Sequence, residues 1–189
     1  MARFKILPGL PGIGPRPIAI PLETRAEYSE GLVVQFFPKT GPAWIGNFAT
    51  GLLVGRPDSV FECHDGRRVL VVSGGDAWVV DPEDPQSPEQ VDNWTTQVID
   101  VPDHKLLILG NPIAFLGLGP SGLVWKSQRI SWDGFRGLAV QGKELTGESW
   151  TPMNRKSPWI RFRLDVTNGQ HEGGAYDKNT PQIRDRSAT

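Results

Sequence analysis

The sequence predicts an all-β protein, an antiparallel meander of repeated hairpins with few or no helices. Three observations carry that expectation. First, segments 68–81 (R-V-L-V-V-S-G-G-D-A-W-V-V-D) and 104–117 (H-K-L-L-I-L-G-N-P-I-A-F-L-G) overlay without a gap when shifted by 37 residues, which sets Arg68 on Lys105. Val69 falls on Leu106, Val71 on Ile108, Ala77 on Ala114 and Trp78 on Phe115. Each is a short apolar run, a Gly/Asn/Pro turn and a second run with an aromatic at the matching place, which is hairpin chemistry. Second, 22 Gly and 17 Pro in 189 residues, without a collagen-like period, favour many short strands. Third, no window sustains a 3.6-residue apolar period, and 23–29 alone could hold a helical turn.

In chain order, residues 1–29 form a Pro/Gly-rich arm. Within it, 8–21 (P-G-L-P-G-I-G-P-R-P-I-A-I-P) resist both helix and ladder, because each Pro lacks a donor and fixes φ. An extended arm lying on the domain is expected there, with a polyproline-type ligand as the sharper alternative. A single β domain is expected over 30–170. Its strands fall at 32–37, 44–48, 51–54, 59–63, 69–72, 77–81 and 95–101, then at 106–109, 113–116, 123–127, 138–141, 144–148 and 159–164. Asp65-Gly66, Gly74-Gly75, Asn111-Pro112, Ser121-Gly122 and Asp133-Gly134 supply turns between them. A fainter third hairpin reads at 137–147. Propeller rings usually need at least ~4 blades, so blade-like sheets side by side, a sandwich and an open barrel all stay open. Residues 171–189 are polar and are expected to form a flexible tail from about Gly173.

The formal charge is −1, from 20 Lys plus Arg against 21 Asp plus Glu, which makes nucleic acid an unfavoured partner without a local basic patch. One cysteine, Cys63, excludes an internal disulfide framework or a multi-Cys zinc site and agrees with a reducing compartment. The first seven residues begin like a signal peptide, but Pro8, Gly9, Pro11, Gly12, Gly14 and Pro15 break the apolar run. No run approaches the ~20 apolar residues of a membrane helix. The expectation is a soluble cytoplasmic protein with no membrane partner.

Three stretches resemble a known kind of protein. They are Trp44-Ile45-Gly46-Asn47-Phe48 (W-x-G-N-F), 65–82 (D-G-R-R-V-L-V-V-S-G-G-D-A-W-V-V-D-P), and 125–134 (W-K-S-Q-R-I-S-W-D-G) followed by G-K-E-L-T-G at 142–147. Together they are similar to bacterial proteins built from repeated β-hairpins, over about residues 28–168. Turn and core residues carry the likeness, so it implies a shared β fold and no catalytic residue. Some such proteins serve as immunity or accessory partners, and the resemblance extends that role here by analogy.

Candidate chemistry is sparse. Cys63-His64-Asp65 holds a nucleophile, a base and an acid, but adjacent strand residues point to opposite faces and cannot share a hydrogen bond. His64, His104 and His171 lack metal-ligand spacing. Residues 81–92 carry five acids, no Lys or Arg and three prolines, which reads as a stiff solvated loop or, alternatively, a cation or basic-partner site. Gly117-Leu118-Gly119-Pro120-Ser121-Gly122 lacks the Lys-Ser/Thr of a P-loop and reads as a turn. Neither catalytic residue nor metal nor cofactor is assigned.

The tryptophans offer more. Four of the seven, Trp125, Trp132, Trp150 and Trp159, fall close to Arg129, Arg136, Arg155, Lys156, Arg161 and Arg163. Arg161 and Arg163 alternate with apolar neighbours, so they share one strand face; Arg129 could pair with Asp133. Core packing is the plain reading of the tryptophans. The functional reading is a non-enzymatic module recognising a protein partner through Trp132, Trp150, Arg155, Arg161 and Arg163. A small-molecule-binding or hydrolytic enzyme with a loop-assembled site is the alternative, and single-stranded nucleic-acid binding is the second.

Overall fold

The computed structural model describes residues 3–22, 30–53 and 58–176. Among them, sixteen strands build four four-stranded sheets, and the sole helical element is a 3-10 turn at Pro102–His104. The all-β expectation holds. The first sheet contains β1 (Phe4–Ile6), β2 (Ile18–Ile20), β3 (Leu32–Phe36) and β4 (Trp44–Phe48), in the order β1-β3-β4-β2. The second runs β5 (Ser59–Glu62), β6 (Val69–Ser73), β7 (Asp76–Asp81), β8 (Asp84–Asp92). In the third, β9 (Gln97–Val101), β10 (Leu106–Gly110), β11 (Phe115–Gly119) and β12 (Gly122–Lys126) again follow chain order across the sheet. The fourth repeats this with β13 (Phe135–Gln141), β14 (Glu144–Trp150), β15 (Trp159–Asp165) and β16 (His171–Gly173). Pairing is antiparallel throughout except between β2 and β4.

The sheets fall into two compact units, Met1–Thr96 and Gln97–Thr189. In the first unit, Leu32, Val34, Phe36, Trp44 and Phe48 pack in one core with Val69, Val71, Trp78 and Val80 of the second sheet. Phe36 stacks on Trp44 with centroids 4.4 Å apart, and the Trp44 indole N–H donates to the Pro82 carbonyl at 2.9 Å. In the second unit, Leu106, Ile108, Phe115 and Trp125 share a core with Leu145, Phe162 and Leu164. Phe115, Phe135 and Phe162 form an aromatic triad across it, with centroids 4.5 to 5.7 Å apart. Phe115 and Phe162 are buried and Phe135 partly so; a fully buried ring contributes about 1.5–3 kcal/mol of transfer free energy.

Several expectations are corrected. The Pro/Gly arm at 1–29 is not merely laid on the fold, because β1 and β2 are strands of the first sheet. Both are edge strands of three residues, which need partners on one side and so tolerate Pro17 and Pro21 at the flanks of β2. The acidic stretch at 81–92 is no loop: 84–92 is β8, the edge of the second sheet. Pro85 and Pro88 sit in an edge strand interrupted by register shifts, where missing donors cost little. Residues 51–53 make no strand; Gly51 and Leu53 instead donate their backbone N–H groups to Ser73 and Gly74. Order continues past Gly173, since Gly174 donates to Arg161 and Ala175 to Ile130, both through the backbone. The helical turn at 23–29 and the tail from 177 onward lie outside the described residues.

Candidate functional site

The fourth sheet has one face in the core and one in solvent. Along β15 the side chains alternate as the sequence predicts: Phe162 and Leu164 are buried, while Arg161 and Arg163 are exposed. Cross-strand register places Glu148 opposite Arg161, Thr146 opposite Arg163 and Trp150 opposite Trp159, while Glu172 of β16 stands beside Arg163. Two open depressions of about 410 and 870 Å³ lie on this face, both lined by Glu144, Arg163 and Glu172.

Charge is distributed unevenly along it. Toward β16 and the β13–β14 turn, the cations are matched: Arg163 meets Glu172 at 2.9 Å and Lys143 meets Asp165 at 3.9 Å. In the middle, Arg136 donates to Glu148 at 2.7 Å and its guanidinium lies 4.3 Å from the Trp159 ring centroid. At the opposite end stand Trp150 and Trp159, joined by the exposed loop 152–157 that carries Met153, Arg155 and Lys156. Arg155, Lys156 and Arg161 make no ion pair among the described residues.

The segment preceding β13 is tied to this same end. Trp132 donates its backbone N–H to Trp150 at 3.0 Å, and Ser131 Oγ accepts from the Trp150 N–H at 3.0 Å. The Trp132 side chain packs on Tyr176, centroids 5.0 Å apart, and Arg129 lies 4.4 Å from the Tyr176 ring centroid and 5.3 Å from that of Trp132. The expected Arg129–Asp133 pair is absent among the described residues; Arg129 donates to the Ser131 and Trp132 carbonyls instead. Thus Trp132, Trp150 and Arg155 gather at one end of the sheet and Arg161 stands next to them, opposite Glu148, whereas Arg163 belongs to the ion-paired region toward the other end. The sequence places Trp159, Arg136 and Lys156 in the same Trp/Arg-rich stretch but outside the chosen partner-binding set, and it gives no sign of Tyr176. The first three stand beside the chosen residues in the chain, but Tyr176 reaches the cluster from a stretch that reads as tail.

Elsewhere the chemistry is structural. Cys63 is buried, and burial, aided by the Asp65 charge, pushes its thiol up to about 12, so it stays protonated and non-nucleophilic near neutrality. Burial would raise the Asp65 carboxyl, but Arg68 and the backbone N–H groups of Arg68 and Arg67 outweigh it and hold the group below its ordinary range. His104 bonds the Gly142 carbonyl at 3.2 Å. Among the described residues no group of three or more His, Cys, Asp or Glu is placed to hold a metal ion.

No family model matches the chain, and no curated protein matches it. A solved structure, of an Agrobacterium tumefaciens protein assigned as TolB, is similar at 20% identity with a TM-score of 0.32. The match covers 61% of this chain and 44% of that one, so the chain spans less than half of the protein it resembles. A likeness this slight carries no argument for function.

Proposed function

We propose that the chain is a non-enzymatic interaction module that recognises a protein through the outward face of its fourth sheet, at the Trp150–Trp159 end. One observation supports this reading above the others. Half-buried tryptophans stand beside cations that have no acidic partner among the described residues, on a face whose other cations are each paired with a carboxylate. Interface hot spots are enriched in Trp and Arg, because both bring large contact area and directional donors. The role fits an immunity or accessory protein working in the cytoplasm.

Affinity capture from the source cells, with bound proteins identified by mass spectrometry, tests the proposal. Arg161→Glu, checked for native folding, is expected to lose a partner that both the parent and a Lys143→Glu variant retain. Identical recoveries from parent and Arg161→Glu would overturn it.

A further inference from the structure

We infer that the partner presents an acidic polypeptide segment to this end of the sheet; the inference rests on the interaction reading and gives it a chemistry. Three cations flank Trp150 and Trp159: Arg155 and Lys156 on the loop that joins the two strands, and Arg161 two residues past Trp159 on the same strand face. A fourth, Arg129, stands against Trp132, whose backbone N–H donates to Trp150. The acids nearest them are Glu148, opposite Arg161 but held by Arg136, and the exposed Asp133. Every other cation of the fourth sheet's face is committed: Arg136 to Glu148, Arg163 to Glu172, Lys143 to Asp165. The end therefore carries a local positive excess on a chain whose total charge is −1.

The cations are of two kinds. Arg129 is fixed by its two backbone carbonyls and by the rings of Trp132 and Tyr176, so it contributes a pre-ordered charge. Arg161 projects from a strand held on both sides by β14 and β16, with its planar fork turned to solvent. An arginine fork on a rigid strand suits bidentate pairing with a carboxylate. Arg155 and Lys156 ride on the exposed loop and supply longer-range attraction that speeds encounter. Beside them, the half-buried Trp150 and Trp159, the latter with the Arg136 guanidinium 4.3 Å from its ring centroid, and the 56% exposed Met153 of the joining loop supply apolar surface. The matching ligand is an extended segment with carboxylates flanking an apolar side chain. Nucleic acid fits less well, because four clustered cations neutralise too few phosphates to offset an overall acidic chain.

Fluorescence anisotropy with labelled oligo-glutamate, and with oligo-thymidylate of equal length, tests this on the full chain. Oligo-glutamate should bind saturably and weaken as salt is added. Its affinity should fall at least about tenfold in Arg155→Glu/Lys156→Glu, whose exposed loop leaves the fold intact, and stay unchanged in Lys143→Glu. No binding, equal affinity in the loop variant, or tighter binding of oligo-thymidylate would each overturn the inference. If oligo-glutamate fails while partner capture still depends on Arg161, the interaction reading survives and the acidic segment is wrong. Oligo-glutamate binding as expected, with no captured partner, would place the failure in the interaction reading.

Discussion

The third and fourth sheets belong to one unit and share one strand order, yet they treat their second faces differently. In the third, Leu106, Ile108 and Phe115 enter the common core, while Leu107, Leu109, Leu116 and Leu118 on the opposite face are also buried, at 1 to 2% exposure. In the fourth, Leu145, Phe162 and Leu164 enter the core and the opposite face is a ladder of Arg136, Glu148, Arg161, Arg163 and Glu172. The difference is written in the strands themselves. Leu106-Leu107-Ile108-Leu109 is a continuous apolar run and buries both faces; Arg161-Phe162-Arg163-Leu164 alternates and buries one. A sheet apolar on both sides can only be packed, so a recognition surface has to come from the alternating one.

Breaking the third sheet should cost the most. Phe115→Ala removes a fully buried ring that touches Phe135 at 4.5 Å and Phe162 at 5.7 Å, so a loss of about 3–5 kcal/mol is expected in denaturant unfolding. A loss below about 1 kcal/mol would mean that no continuous core joins the two sheets. The next effect is Gly117→Ala. Gly117 lies against the Trp125 indole, whose N–H donates to the Val166 carbonyl at 2.8 Å, and a methyl at Gly117 would fall inside the ring. Gly169, with φ of +73°, packs against the same indole near Cε3, which leaves the ring little room to yield. About 1–3 kcal/mol of overpacking and a red-shifted tryptophan emission are expected; unchanged stability and emission would show a looser site.

The repeat was partly legible. Central hairpins begin at Leu32, Val69, Leu106 and Glu144, spacings of 37, 37 and 38 residues, so the period seen in two units runs through all four sheets. The outer two are hidden because their strands are joined by the long loops 37–43 and 151–158, which a gapless comparison cannot cross. The fainter hairpin at 137–147 is real but is β13–β14, one strand out of step with the central pairs. Local chemistry hid β8 as well: acids and prolines mark a loop by composition, and only the neighbouring β7 makes them an edge. For the site, alternation identified Arg161 and Arg163 as surface residues. Nothing local distinguishes them, however. What separates them is β16, which brings Glu172 back across nine residues to neutralise Arg163 and leaves Arg161 without an ion pair among the described residues.

Arg163→Ala should therefore have the smallest effect on stability. Its partner is 73% exposed, and an ion pair of that kind contributes at most about 1 kcal/mol, shrinking as salt rises. Asp165, at the same end, adds a pH dependence of known sign. The Thr167 hydroxyl, then the Thr167 backbone N–H and the Lys143 charge, hold its carboxyl below the ordinary value. A depressed carboxyl stabilises the fold above its unfolded-state value, and that contribution is lost as pH falls through the folded-state value. Asp165→Asn should then differ slightly from the parent near neutrality and converge with it in strong acid, in unfolding midpoints measured across pH. A loss from Arg163→Ala as large as that from Phe115→Ala would erase the contrast between the two sheets. A small one means that charges on the fourth sheet's outer face can change with little penalty to the fold, which leaves that face free to be shaped by what it binds.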